Sequence, residues 1–134
     1  MVLNISYDDK RQEDEINNFV GSSYTFWQSL KMRGSGSQKL IIKQSHDVFK
    51  PYLTQRNSTK YCNIELRPRG IGLRFRFKLE AIGWFIPYEH LEIIFSDNHI
   101  HLNDTTTQYF MQLEPSHRSK IDQQFMDKLL TLKQ

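Results

Sequence analysis

Basic side chains recur at every second position in two short stretches of this sequence. Arg67 and Arg69 lie on either side of Pro68, and a second row alternates with apolar residues over residues 71–79 (IGLRFRFKL). A guanidinium group can make two parallel hydrogen bonds to a carboxylate or a phosphate. The pattern therefore predicts a surface for an anionic or protein partner, formed by Arg67, Arg69, Arg74, Arg76 and Lys78.

A strand over residues 71–79 would place the second basic row on one face, because successive side chains of a strand point to opposite faces. The opposite, buried face of that strand would hold Ile71, Leu73, Phe75, Phe77 and Leu79. The alternative to a binding surface is a solvated strand face. In that case Glu65 and Glu80 on neighbouring strands would neutralise part of the charge.

Other side chains could do chemistry but lack the partners that it needs. His99 and His101 share one face of a predicted strand and could supply two metal ligands, with Asp97 or Asp104 nearby. A third firm ligand at a known spacing is absent, so we predict no metal. Cys62 alternates with apolar residues, which predicts a small core residue and not a nucleophile.

The sequence motifs of common enzyme classes are not found. There is no glycine-rich phosphate loop, no HExxH, no GxSxG and no CxxC. Glu89 and Glu92 are close in sequence, but a catalytic carboxylate pair needs spatial evidence. We therefore predict a protein that is not an enzyme and carries no cofactor, with a small enzyme of unknown class as the remaining alternative.

Composition narrows the class of protein further. The chain has 134 residues, a net charge of +3 and 38% hydrophobic residues, which predicts one soluble domain over residues 1–134. We find no apolar run that could span a bilayer and no secretion signal, and the single cysteine fits a reducing cytoplasm. Nucleic acid is not the expected partner, because the basic excess is small and no binding motif is present.

The elements that must position these residues are clearest in residues 61–134. Alternating apolar residues predict six short antiparallel strands, over residues 61–67, 71–79, 81–88, 91–96, 99–102 and 108–113. Ser116 is the predicted N-cap of an amphipathic helix that follows. The apolar stripe of this helix comprises Ile121, Phe125, Leu129 and Leu132.

Residues 1–60 are predicted as a strand, a helix and a further strand or hairpin. A strand over residues 2–7 precedes a helix that Asp8 or Asp9 could cap. For residues 24–44 we favour a helix followed by a strand over 39–44, and a hairpin through the Gly-Ser loop is the alternative. A turn or short helix over 46–55, interrupted by a proline, and a loop over 55–60 complete this part.

Two adjacent aromatic residues predict a contact outside the main core. Trp84 and Phe85 lie on one strand, so they cannot both face the same core. One of them should meet the N-terminal helix or a partner chain. Exposed apolar patches often mark interfaces, so self-association is among the expectations.

Three segments resemble bacterial pleckstrin-homology-like (PH-like) domains. Residues 63–71 (NIELRPRGI) resemble a strand, turn and strand of that family, and residues 84–92 (WFIPYEHLE) resemble the strand that leads into its hairpin. Residues 5–9 (ISYDD) resemble the start of the YcxB-like branch. That branch usually carries a transmembrane hairpin, for which this sequence has no apolar run. The resemblance covers residues 61–133.

The resemblance implies an α+β fold, an antiparallel meander sheet or partly open barrel with a C-terminal amphipathic helix and an N-terminal helical segment. PH-like domains bind phosphoinositides, peptides or proteins, or act as assembly modules, and the phosphoinositide binders use basic residues on early strands. We therefore expect a non-enzymatic binding or assembly module that acts through protein–protein contacts. Peripheral binding of anionic membrane lipid by the basic strand face is the main alternative.

Overall fold

The structure is a computed structural model that describes residues 1–53, 59–116 and 119–134. These residues form an α+β fold with eight strands and three α-helices. The strands are β1 (Val2–Asn4), β2 (Leu40–Ser45), β3 (Tyr61–Leu66), β4 (Gly70–Phe77), β5 (Glu80–Pro87), β6 (Leu91–Ser96), β7 (His99–Asp104) and β8 (Phe110–Pro115). The helices are α1 (Lys10–Val20), α2 (Phe26–Lys31) and α3 (Gln123–Lys133), with 3-10 helices at Asp47–Tyr52 and Tyr88–His90.

All eight strands belong to one antiparallel sheet in the order β1-β5-β4-β3-β2-β8-β7-β6. Strands β2 to β5 form one meander and β6 to β8 a second, and the pairing of β2 with β8 joins them. β1 adds to the free edge of β5. Because β1 and β6 end the order without pairing to each other, the sheet is not closed into a barrel.

The main core lies on the inner face of this sheet, where both meanders contribute. Its buried side chains include Leu73 and Trp84 from the first meander and Leu102 from the second. α3 covers this face through the predicted stripe, with Phe125 and Leu129 buried. The C-terminal amphipathic helix is thus confirmed.

A smaller core lies on the outer face, between the sheet and α1. Phe85 is fully buried there against Ile16 and Val20 of α1, while Trp84 points into the main core. The prediction that one of these two aromatic residues meets the N-terminal helix is confirmed. Helix α1 begins where the sequence predicted, because Asp9 accepts hydrogen bonds from the backbone N–H of Arg11 at 3.0 Å.

The predicted strand over residues 71–79 ends two residues early, and this corrects one buried position. Phe77 pairs with Glu80, so Lys78 and Leu79 form the turn between β4 and β5. Leu79 is 93% exposed and not buried as the alternation predicted. The alternation describes a strand only while the chain remains extended, and Lys78 leaves that conformation with a φ of 56°.

Other element boundaries also differ from the predictions. α3 begins at Gln123, because Asp122 and not Ser116 caps it, accepting from the N–H of Gln124 at 3.0 Å. Residues 24–44 form α2 followed by β2, so the hairpin alternative is wrong. The 3-10 helix at Asp47–Tyr52 contains the predicted proline. The predicted loop over 55–60 lies mostly outside the described residues.

Among the described residues, no helix has the length and apolar character that crossing a membrane requires.

Candidate functional site

The structure separates the five basic residues singled out in the sequence: Arg67 and Arg69 bind the C-terminal end of α1, and Arg67 alone is buried. Its guanidinium forms an ion pair with Glu65 and also donates, through Nη1, to Asn17 Oδ1 and the Gly21 carbonyl, both at 3.0 Å. It also lies over the Phe85 ring. The side chain is only 5% exposed, so it joins the β3–β4 turn to the end of α1 and presents no free donor face.

Arg69 also contacts the end of α1. Its Nη2 donates to the carbonyl oxygens of Asn17 at 2.9 Å and Asn18 at 3.0 Å. The carbonyls in the last turn of a helix carry partial negative charge, so a cation is favourable there. Arg69 is exposed, but these bonds direct its guanidinium towards α1.

Arg74, Arg76 and Lys78 lie together beyond the part of the sheet that α1 covers. They line one side of an open groove of about 930 Å³ on the outer face. Asn63 of β3 lies directly opposite Arg74 of β4, which fixes the register of this face. We call this surface the basic groove; its basic lining residues are Lys39, Lys60, Arg74, Arg76 and Lys78.

Carboxylates are sparse at the basic groove. None of the described residues that line it is acidic. The two acids that could neutralise part of the row do so only at Arg74. Glu65 pairs with Arg67 at 2.5 Å and with Arg74 at the longer distance of 3.8 Å, and Glu80 accepts from Asn4 Nδ2 at 2.8 Å. In the described part of the chain, Arg76 forms no ion pair, so its charge is available to a partner.

Two lysines of the groove were not predicted as site residues. Lys39 precedes β2, and its Nζ lies 4.3 Å from the centre of the Tyr61 ring. Lys60 precedes β3. The signal that could have found them is the charge of residues 31–60, which hold seven basic residues and a single acid.

The β4–β5 hairpin, whose tip lies at the end of the basic groove, has an unfavourable turn sequence, as comparison with the β6–β7 hairpin shows. The β6–β7 turn places Asp97 and Asn98 at φ values of 49° and 63°, and both residue types tolerate positive φ. The β4–β5 turn instead places Lys78 at positive φ and leaves Leu79 exposed. A cationic and an apolar side chain therefore stand at a tip where Gly or Asn would favour folding.

A second cavity, of about 490 Å³, lies between α1 and the sheet and has a different character. Arg67 and Arg74 line it together with three acids at the N-terminal end of α1, namely Asp8, Asp9 and Glu13. These carboxylates oppose the binding of an anion. Arg74 therefore stands at the boundary between an acidic cleft and the basic groove.

The two strand histidines have protein partners. His99 Nδ1 lies 3.0 Å from a Glu114 carboxylate oxygen, and the His101 ring stacks on Phe110. Across the described ranges, no group of three or more histidine, cysteine, aspartate or glutamate side chains could hold a metal ion.

Cys62 lies in the main core, and burial raises the pKa of its thiol from 9.0 to about 12. Between these values the unfolded chain loses the thiol proton and the native chain keeps it. The free energy of unfolding should therefore fall as pH rises from about 9 to 10, by up to about 1.4 kcal/mol per pH unit. Urea titrations across this range test it, and the Cys62→Ala variant should show a shallower pH slope. Equal slopes in the two proteins would contradict it.

Comparison with known protein families, with curated proteins and with solved structures finds no match to this chain.

Proposed function

We propose that this chain is a non-enzymatic, PH-like binding module that holds an acidic segment of a protein partner in the basic groove. The observation that carries the proposal is the row formed by Arg74, Arg76 and Lys78, which meets Lys39 across the face while no described lining residue is acidic. Of the two acids that could neutralise this row, Glu80 binds Asn4, and Glu65 is shared between Arg67 at 2.5 Å and Arg74 at 3.8 Å.

The PH-like part of the proposal is supported by the order of the elements. Two antiparallel meanders share one sheet, and a single amphipathic helix follows the last strand and covers the inner face. A meander sheet and a C-terminal amphipathic helix are among the features that the resemblance implies. β1 at the sheet edge and α1 on the outer face are additions to that arrangement. The proposal includes a cytoplasmic location, where Cys62 would stay reduced.

The groove suits an extended chain better than a compact ligand. Arg74 and Arg76 are two residues apart on one strand, so their Cα atoms are separated by about 6.5–7 Å. Alternate side chains of an extended peptide have the same spacing. An acidic peptide lying along β4 could thus place a carboxylate at each guanidinium.

The Arg74→Glu/Arg76→Glu variant should bind such a peptide at least about tenfold more weakly than the wild-type protein, because each substitution replaces attraction by repulsion. The probe is a fluorescein-labelled peptide of alternating glutamate and valine, followed by fluorescence anisotropy. Wild-type binding should weaken as salt is added.

The matched control is Lys10→Glu/Arg11→Glu, which makes the same change in net charge at exposed positions of α1. It should retain most of the affinity. Equal losses in the two variants, or no wild-type binding at low salt, would refute the peptide-binding groove.

Anionic lipid headgroups at the same groove are the second candidate, and Leu79 favours it. A 93% exposed leucine beside Lys78 could enter the headgroup region of a bilayer. If phosphatidylglycerol vesicles bind, the peptide does not, and Arg74→Glu/Arg76→Glu abolishes vesicle binding, the lipid candidate replaces the peptide.

A further inference from the structure

Helix α2 presents three large apolar side chains to solvent. Phe26 is 72% exposed, Trp27 71% and Leu30 60%, and no residue of the helix is buried. We call these three residues the α2 patch. The helix therefore contributes little to either core, and its apolar side chains must be explained in another way.

The α2 patch is held in a defined position by several contacts. Thr25 and Gln28 form a capping box, with backbone N–H groups bound at 3.2 and 2.9 Å. Lys128 of α3 donates to the Gly34 carbonyl, just after the helix, at 2.8 Å. Side chains on both sides of the helix pack against the main core, namely Tyr24 and Met32. The patch is thus preformed on the folded domain.

The charged residues next to the patch in the sequence are of one sign. Residues 16–46 contain no aspartate or glutamate, and α2 ends at the exposed Lys31, with the exposed Arg33 two residues further on. Tryptophan, phenylalanine and leucine on one side with lysine or arginine beside them are typical of segments that lie in a membrane interface. An anionic lipid surface is complementary to both parts of this arrangement.

The size of the patch argues against a second copy as its partner. Its exposed side-chain area is roughly 400 Å², given the areas that such aromatic residues present. A stable protein interface buries about 800 Å² on each partner. A bilayer needs no matching surface, so a small patch of three side chains can insert.

We propose that α2 is an interfacial anchor: Phe26, Trp27 and Leu30 enter the headgroup region of an anionic bilayer, and Lys31 and Arg33 pair with lipid phosphates. This contact is separate from the basic groove and does not depend on it. The module would then hold its protein partner at a membrane surface.

The protein carries its own reporter for this contact. Trp27 is exposed, whereas Trp84, the other tryptophan, is fully buried in the main core. Adding vesicles of phosphatidylcholine with phosphatidylglycerol should shift the tryptophan emission of the full chain to shorter wavelength. The vesicles should also protect Trp27 from quenching by acrylamide. Pure phosphatidylcholine vesicles should have a weaker effect, and the Trp27→Phe variant should lose the response.

The Leu30→Ser variant should bind the anionic vesicles at least about tenfold more weakly in sedimentation, since one of the three inserting side chains is gone. Leu130→Ser is the matched control, because Leu130 is an exposed leucine on α3, and it should bind as the wild type does. The groove variant Arg74→Glu/Arg76→Glu should keep most of the vesicle binding, so the two proposals can fail separately.

Three results would overturn the α2 anchor. The first is no emission shift with anionic vesicles at low salt. The second is vesicle binding that survives Leu30→Ser. The third is a dimer in analytical ultracentrifugation that Leu30→Ser dissociates, because the patch would then be covered by a second copy.

Discussion

Replacing Arg67 with methionine is expected to lower the free energy of unfolding by about 3 kcal/mol, because it removes one partner of a buried ion pair. The substitution leaves Glu65 without its main partner and the Gly21 carbonyl without its side-chain donor. Glu65 is itself 27% exposed and can recruit water, which places the effect at the lower end of the range for buried pairs. Methionine retains much of the packing over Phe85, so the loss is mainly electrostatic.

Urea unfolding followed by far-UV circular dichroism measures this effect. The matched control is Arg76→Met, the same substitution at an exposed position without an ion pair in the described part of the chain, and it should change stability by no more than about 0.5 kcal/mol. In a double-mutant cycle, Glu65→Gln should cost less in the Arg67→Met background than in the wild type. Equal destabilisation by Arg67→Met and Arg76→Met would show that burial does not distinguish the two arginines.

The difference in burial between Arg67 and Arg76 decides which arginines can be substituted in a binding experiment. Arg67 and Arg76 look alike in the sequence, but a loss of binding in an Arg67 variant would be confounded by its lower stability. Of the five basic residues singled out in the sequence, Arg74, Arg76 and Lys78 line the basic groove, and among these three only Arg74 reaches Glu65, at 3.8 Å. The peptide experiment therefore uses Arg74 and Arg76.

Replacing Phe85 with alanine is expected to destabilise the protein by about 3–5 kcal/mol, the range for removing a buried phenylalanine ring. The ring rests on two glycines of the sheet: a Cβ added at Gly72 would lie 2.8 Å from it, and one at Gly83 2.7 Å. Because Gly72 and Gly83 have no side chains that could shift, they cannot fill the space that the ring leaves. Ile16 and Val20 of α1 would lose their main contact with the sheet.

Two measurements check this expectation. Urea unfolding gives the total effect. In native-state hydrogen exchange, the substitution should speed up the exchange of the α1 amides, relative to the wild type, more than that of the β7 amides. Phe95→Ala is the control, because Phe95 is 38% exposed on β6 and should cost markedly less. Unchanged protection of α1 in Phe85→Ala would mean that the helix is held mainly by Arg67 and Arg69.

The sequence was informative wherever local chemistry decides the structure. Alternation placed Leu73 and Phe75 in the core and Arg74 and Arg76 outside, because the pleat of a strand sends neighbouring side chains to opposite faces. Asp8 or Asp9 marked the start of α1, and Asp9 is the cap, because a cap acts within three residues. The split between Trp84 and Phe85 was likewise predictable from their adjacency.

Alternation could not say where β4 ends. Lys78 and Leu79 continue the pattern, yet they form a turn, because the pairing of Phe77 with Glu80 decides the end of the hairpin. The same limit applies to Ser116 and Asp122. Both residue types cap helices, and the start of α3 was decided by where the helix meets the core.

The sequence determined the presence of five basic residues near one sheet face, and the tertiary structure decided which of them are open to a partner. Residue types and spacing established five cations near one sheet face. Whether a cation on that face is free depends on what packs over it, which is a contact between segments distant in the chain. α1 covers the end that carries Arg67 and Arg69 and leaves Arg74 and Arg76 open, and β2 and β3 bring Lys39 and Lys60 to them.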